Sequence, residues 1–123
     1  MLINLSNHPS SMWHPDQLNL AIELYGDVKD ISFPQIDPHS DSDSVYNLAK
    51  EYLDRIITKF KQTEKENNAV HLMGELTFSY SLTNLLKKED IQIIASTTSR
   101  DVKIDENGNK VSIFKFVRFR NYK

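Results

Sequence analysis

Apolar and polar residues follow one another along this chain in blocks whose spacing predicts alternating strands and helices. The short apolar run Leu2–Leu5 fits a buried strand, and the polar residues 6–11 cannot continue it. Pro15 suits the first position of a helix, and Gly26 suits its end. The apolar residues between them recur at helical spacing: Leu18, Ala21, Ile22 and Tyr25. The opening segment therefore predicts a strand, a loop and a helix.

The middle of the chain predicts a second strand and a long helix. Val28–Phe33 alternates like a strand that Pro34 ends, and a loop follows over residues 35–44. Asp41 and Asp43 near the start of the next helix favour the positive end of its dipole. The helix is predicted from one apolar stripe over four turns: Val45, Leu48, Ala49, Tyr52, Leu53, Ile56, Ile57 and Phe60.

Two further strands and a third helix complete an alternating order. A strand is predicted over Ala69–Met73, a helix from Glu75 to about Lys88, and a fourth strand from Ile91. This βαβαβαβ order demands a mostly parallel sheet with helices on both faces. The predicted fold class is therefore α/β, a Rossmann-like three-layer sandwich formed by one domain over residues 1–123.

The last part of the chain predicts a C-terminal β-hairpin. Residues 102–104 and 110–120 have strand patterns, and Asn107-Gly108 between them suits the positive φ angles of a tight turn. Apolar residues fall on both faces of the second hairpin strand: Ile113, Phe114, Phe116 and Val117. One face is thus expected to meet either the core of the domain or a partner subunit.

Three polar clusters are predicted to meet at one edge of this sheet. Right-handed crossovers place the second strand on one side of the first and the later strands on the other, so the switch point lies between strands one and three. The loops expected there are Ser6–Trp13 and Gly74–Thr77, with Thr97–Arg100 adjacent. Ligands of open α/β sheets bind at this position. The clusters therefore predict where function lies.

The residue types in these clusters favour an anionic ligand. Gly74 allows close approach to the backbone, and the amides that open the helix after Glu75 attract negative charge. Arg100 offers a guanidinium suited to phosphate, beside several hydroxyl groups. The candidate ligand-binding residues are Ser6, Asn7, Ser10, Ser11, Trp13, Gly74, Glu75, Thr77, Thr97 and Thr98.

Each of these residues also has a structural interpretation. Glu75 is also explained as a residue that stabilises the start of a helix. Residues 97–99 are also explained as the polar end of a strand, and Trp13 as a packing anchor instead of a platform for a base. Asp37 and His39 lie at the same predicted edge and fit a flexible turn.

Composition and charge limit the classes of function. The 123 residues contain no cysteine, which excludes a disulfide framework and a thiol nucleophile, and the start lacks a leader pattern. We expect a cytoplasmic protein with no membrane partner. From residue 100 onward there are seven Lys or Arg and three Asp or Glu, a net charge of +4. Because the whole chain has a net charge of −2, residues 1–99 have a net charge of −6. Basic charge confined to this segment favours attraction of a small anion over coating of duplex nucleic acid.

Motifs for metal or cofactor binding are also missing from the sequence. The four histidines, at positions 8, 14, 39 and 71, are too scattered to form a recognisable ligand set. No Walker loop, GxGxxG or GxSxG motif is present. We therefore expect neither a metal nor a cofactor.

Several segments together resemble a known family. Residues 2–9 (LINLSNHP) with Trp13 and Gln17, residues 73–78 (MGELTF), Thr97–Arg100 and residues 116–122 (FVRFRNY) are similar to the small stand-alone CRISPR-associated proteins of the CARF (CRISPR-associated Rossmann fold) type. The resemblance implies a homodimer that binds cyclic oligoadenylate in type III CRISPR antiviral defence. Some single-domain members of that family are ring nucleases, which linearise the ring without metal.

The resemblance also implies roles for individual residues. Each ribose 2′-hydroxyl would attack the neighbouring phosphate in line, while the protein holds the geometry and stabilises charge. Arg100 would be the transition-state cation, Ser99 or Thr98 would orient the phosphate, and His8 would carry a proton. Two other functions stay open at this point: a noncatalytic sensor of the same ligand, and an assembly subunit that docks through its hairpin.

Overall fold

The computed structural model describes residues 1–123 and places three helices against one five-stranded sheet. The strands are β1 (Leu2–Ser6), β2 (Val28–Asp30), β3 (Ala69–Met73), β4 (Gln92–Ile104) and β5 (Lys110–Asn121). The helices are α1 (Pro15–Tyr25), α2 (Ser42–Lys61) and α3 (Leu76–Lys88), and a short 3-10 turn covers Ser10–Met12. The α/β class and the alternating order of elements are as predicted. None of the three helices combines the length and the hydrophobicity that a membrane span requires.

The strand order in the sheet is β2-β1-β3-β4-β5. The first four of these strands are parallel, and β5 is antiparallel to β4. The predicted strand order and the C-terminal hairpin are therefore confirmed. Because the connections from β1 and β3 leave in opposite directions, the carboxyl ends of these two strands form the switch point of the sheet.

The sheet buries both of its faces. Alternate residues of β1 point to opposite sides: Ile3 and Leu5 pack with α2 and α3, whereas Leu2 packs with Ala21 and Tyr25 of α1. All five residues of β1 are buried, as expected for a central parallel strand. Helix α1 covers one face of the sheet but leaves the carboxyl ends of β1 and β3 uncovered on that face.

Carboxylates cap the two longer helices. The Asp41 side chain accepts a hydrogen bond from the Ser44 amide at 2.8 Å. Glu75 lies just before α3 and accepts from the amides of Thr77 at 3.0 Å and Phe78 at 2.7 Å. These backbone hydrogen bonds lower the pKa of both carboxyl groups. The capping interpretation of Glu75 is therefore what the structure shows.

The second strand is shorter than predicted. We expected a strand over Val28–Phe33, but pairing with β1 ends at Asp30. The Asp30 carboxylate accepts from Asn4 Nδ2 at 2.8 Å and from the Ser10 hydroxyl at 2.7 Å, which ties the end of the strand to other segments. Phe33 then turns into the core, where its ring packs edge-on against Phe78 at 5.2 Å.

The expected loop at Thr97–Arg100 is wrong, because these residues lie inside β4. That strand continues from Gln92 to Ile104, and β5 pairs with it along this whole segment with one register shift between Thr97 and Thr98. A run of hydroxyl residues ends a strand only if no neighbouring strand offers further backbone hydrogen bonds. Here β5 is such a neighbouring strand, and threonine is well suited to strands.

The turn of the hairpin also differs from the prediction. Gly108 has a positive φ of 80°, but Asn107 does not. The Asp105 carboxylate accepts from the amides of Asn107 at 2.9 Å and Asn109 at 2.8 Å. The connection is therefore a five-residue loop organised by Asp105 instead of a tight two-residue turn.

Gly74 is required by a close approach within the protein. A Cβ atom at this position would lie 2.2 Å from Cε2 of the Phe33 ring. We expect Gly74→Ala to lower the free energy of unfolding by about 1–3 kcal/mol, because the ring must leave its packed position. Urea denaturation of the single variants and of the double variant Gly74→Ala/Phe33→Leu tests this. A double variant that costs the sum of the two single changes would contradict the proposed clash.

Candidate functional site

A cavity of about 520 Å³ opens at the carboxyl ends of β1 and β3, on the face of the sheet that α1 covers. Its volume lies in the range of about 300–1,000 Å³ typical of small-molecule sites. Its apolar lining consists of Met12, Trp13, Met73, Phe114 and Phe116. The hairpin thus forms one wall, and the segment after β1 forms the opposite wall.

Six of the residues predicted from the sequence line this cavity. They are Ser6, Asn7, His8, Trp13, Gly74 and Thr98. Together they come from the segment after β1, the segment after β3 and strand β4. The expectation that these three segments approach one another is therefore confirmed, although Thr98 arrives from within a strand.

Four predicted residues lie outside the cavity lining, and three of them have structural partners instead. Ser10 donates its amide and hydroxyl to Asp30, and Ser11 lies exposed in the 3-10 turn. Thr77 donates its hydroxyl to the Glu75 carboxylate at 2.7 Å, within the cap of α3. None of these four residues, Glu75 included, lines the cavity.

The remaining predicted residues lie on the hairpin. Thr97 and Ser99 are odd-numbered positions of β4 and so face away from Thr98. Arg100 shares the face of Thr98 and is paired with Phe114, but it lies one step beyond the cavity lining. Its Nε atom donates to the Ser112 hydroxyl at 3.1 Å, and the side chain is exposed.

Sequence reasoning missed the polar floor of the cavity, which consists of His71 and Ser96 in the lining and of Asn4, which is bonded to His71. His71 lies in the middle of the sheet and is only 2% exposed. Its Nδ1 atom is 2.9 Å from Asn4 Oδ1, and its Nε2 atom is 3.1 Å from the Ser96 hydroxyl. Burial lowers the pKa of His71 to about 4, so the ring is neutral at neutral pH.

A signal for this floor was present in the sequence. Asn4 and His71 are polar residues inside the otherwise apolar runs Leu2–Leu5 and Ala69–Met73, and Ser96 directly follows the apolar run Ile93–Ala95. Because the strands that contain them are neighbours and side chains alternate between faces, the three polar groups meet on one side of the sheet. Buried polar groups in a sheet core are expected to pair with one another.

Hydrogen bonds to a single carbonyl oxygen hold the segment after β1 in place. The main-chain oxygen of His8 accepts from Asn4 Nδ2 at 2.8 Å and from Trp13 Nε1 at 3.1 Å, and the Ser6 Oγ atom also lies 3.1 Å from it. The Trp13 ring also packs edge-on against His71, with centroids 5.1 Å apart. The backbone of His8 is thus fixed, while its imidazole stays exposed at the cavity.

The cavity lining carries no lysine, arginine or carboxylate. Its titratable side chains are the three imidazoles of His8, His14 and His71. His14 also caps α1, since its Nδ1 atom accepts from the Asp16 amide at 3.1 Å. A ligand therefore meets aromatic faces, hydroxyls, amides and imidazoles, which is a combination suited to a nucleobase with its sugar.

Comparison with known proteins identifies the family. A model of the "Uncharacterized protein MJ1673 family" matches residues 1–120. The chain therefore belongs to this family. No curated protein and no solved structure matches it.

Proposed function

For this member of the MJ1673 family, we propose a cytoplasmic, homodimeric protein with a CARF-like Rossmann domain that binds cyclic oligoadenylate and cleaves it without metal. The proposal rests on the sequence resemblance and on the composition of the cavity. One observation carries it: aromatic side chains from the segment after β1 and from the hairpin line the same cavity as imidazole and hydroxyl groups, at the switch point of the sheet. Such aromatic side chains suit an adenine base, and such polar groups suit its ribose.

The walls would hold one nucleotide of the ring. Trp13 stands on one side, while Phe114 and Phe116 stand on the hairpin side. Stacking of a base on an aromatic side chain contributes about 1–3 kcal/mol. A cavity of about 520 Å³ takes up only part of a cyclic oligonucleotide, so the rest of the ring needs a second surface. A second copy of the chain supplies that surface in the proposed dimer.

Cleavage needs only groups that the protein places near the sugar. The 2′-oxygen of one ribose attacks the adjacent phosphorus, and the bond from phosphorus to the 5′-oxygen breaks. The imidazole of His8 takes the proton of the 2′-hydroxyl as attack proceeds, and the departing 5′-oxygen takes a proton from water. His8 is the proton carrier of the proposal, because its imidazole is exposed at the cavity and histidine suits proton transfer near neutral pH. The products are a 2′,3′-cyclic phosphate and a free 5′-hydroxyl.

The hairpin would bind the phosphates. Thr98 lines the cavity and is the hydroxyl proposed to orient the phosphate, whereas Ser99 faces the other side of β4. Arg100 lies on the face of Thr98 one step further out. It is therefore placed for a phosphate of the next nucleotide, at the mouth of the cavity.

We expect Arg100→Ala to weaken ring binding by about 1–2 kcal/mol, because it removes an exposed charge-assisted contact. Arg118→Ala is the matched control. Arg118 is paired with Thr97 in the hairpin, and neither residue lines the cavity. Calorimetry with cyclic tetra- and hexa-adenylate measures both variants. Equal loss in the two variants would show that general positive charge, and not Arg100, accounts for the effect.

Incubation of the protein with cyclic tetra- and hexa-adenylate in EDTA tests the enzymatic part. Chromatography should show linear products that end in a 2′,3′-cyclic phosphate. Intact rings at enzyme excess would overturn cleavage.

A noncatalytic sensor of the same ligand is the second candidate. It is favoured by the absence of any cationic side chain from the cavity lining, since a phosphoryl transition state is commonly stabilised by Arg or Lys. Tight calorimetric binding with no turnover in the same samples would select this function over the first.

A further inference from the structure

A line of hydrogen bonds crosses four strands and ends in the cavity. It runs from Asp30 of β2 to Asn4 of β1, then to His71 of β3, and finally to Ser96 of β4. Asn4 and His71 are at most 2% exposed, whereas Ser96 lies at the cavity surface. Because every internal member is buried, each must donate or accept in a definite direction.

The chemistry of its partners fixes the direction of the Asn4 amide. Its Nδ2 atom lies 2.8 Å from the Asp30 carboxylate and 2.8 Å from the His8 carbonyl oxygen, and both of these groups only accept. If the amide were reversed, its oxygen would lie against the Asp30 carboxylate and the His8 carbonyl oxygen, and none of these three groups could donate a hydrogen. The Oδ1 atom of Asn4 therefore faces Ser6 and His71, and it can only accept from them.

The amide in turn fixes the tautomer of His71. Since Asn4 Oδ1 accepts, the Nδ1 atom of His71 must carry a hydrogen. The buried ring is neutral, so its Nε2 atom has a lone pair and no hydrogen. The Ser96 hydroxyl, 3.1 Å away, must then donate to Nε2. The Met73 sulfur at 3.3 Å is a weaker acceptor and does not compete well for that hydrogen.

The Ser96 oxygen consequently offers only lone pairs to the cavity. A phosphate oxygen, also an acceptor, is disfavoured at this position. In a 3′,5′-linked ring the sugar–phosphate backbone carries a single kind of hydrogen-bond donor, which is the ribose 2′-hydroxyl. The base has a donor in its amino group, but the aromatic side chains that suit the base come from other segments, Trp13 from the segment after β1 and Phe114 and Phe116 from β5.

We propose that Ser96 is a specificity-determining residue, whose oxygen accepts a hydrogen bond from the ribose 2′-hydroxyl of the bound nucleotide. This inference rests on the proposed function and adds to it a basis for selecting ribose over deoxyribose. The Asn4–His71 pair acts through Ser96 as a positioning pair.

Binding measurements, which do not depend on cleavage, test this inference. Calorimetry compares cyclic tetra-adenylate with its 2′-deoxy and 2′-fluoro analogues, both of which lack the donor. Wild-type protein should bind the ribose ring roughly 10-fold more tightly than either analogue. Ser96→Ala should bring this ratio close to one, whereas Ser96→Thr keeps a hydroxyl and should preserve it.

The outcomes separate the inference from the proposed function. Tight binding of all rings with the same ratio in wild type and Ser96→Ala would overturn the role of Ser96 and leave nucleotide binding intact. Failure of wild-type protein to bind any ring would overturn both. Nitrogen-15 spectra of the His71 ring give an independent readout, and a hydrogen on Nε2 instead of Nδ1 at neutral pH would refute the deduced direction of the bonds.

Discussion

Replacing His8 with alanine is expected to slow ring cleavage about 10²- to 10⁴-fold, the usual contribution of a general acid or base. The imidazole is exposed at the cavity, and no hydrogen bond of its ring holds the fold together. The structural role of this residue belongs to its main-chain oxygen, which accepts hydrogen bonds from the Asn4 and Trp13 side chains and survives the substitution. The variant should therefore fold normally and still bind the ring.

Single-turnover rates with enzyme in excess measure this effect without a contribution from product release. His39→Ala is a matched control, because His39 is also an exposed loop histidine but does not line the cavity. Its cleavage rate should equal that of wild type. An unchanged rate in the His8 variant would remove this residue from the mechanism, and equal losses in both variants would indicate an effect unrelated to the site.

The position of the cavity could be predicted because it depends on topology. Three strand–helix units and right-handed crossovers were enough to place the carboxyl ends of the first and third strands together. Residues in the segments that follow those strands, such as His8 and Gly74, consequently lie at the cavity as expected. Local sequence alone determines these segments, since each begins where an apolar run stops.

The placement of Arg100 could not be predicted in the same way. Whether a polar run ends a strand or continues it depends on a partner strand, and here that partner lies more than ten residues further along the chain. The alternation within β4 then decides which of the neighbouring residues face the cavity. Thr98 does so, whereas Thr97 and Ser99 do not.

The polar floor depends on contacts that are distant in sequence. Asn4 and His71 are 67 positions apart, yet each supplies the partner without which the other would be a costly buried polar group. A histidine within an apolar strand looks like an isolated exception in the sequence. Only the register of β1 against β3, which pairs these two residues directly, shows that it is satisfied.

Acidification should destabilise the protein through His71. Its pKa is about 4 in the folded protein, against 6.5 as the ordinary value, because burial disfavours the charged ring. Between these two values the unfolded chain binds a proton that the folded chain does not. The free energy of unfolding therefore rises with pH from about 4 to about 6.5 and levels off above this range, and the loss from pH 7 to pH 4 amounts to about 3 kcal/mol.

Urea denaturation at intervals between pH 4 and pH 7 measures this dependence in wild type and in His71→Gln. The Glu75 and Asp41 carboxyl groups, whose pKa values are lowered by their capping bonds, also cost stability as the pH falls through the acidic range. Their contribution is common to both proteins, so the difference in slope isolates His71. Parallel curves would contradict a neutral, buried ring. Titration of the His71 ring signals by NMR in wild-type protein answers the same question if the variant does not fold, since a ring that gains its proton near pH 6.5 would equally refute it.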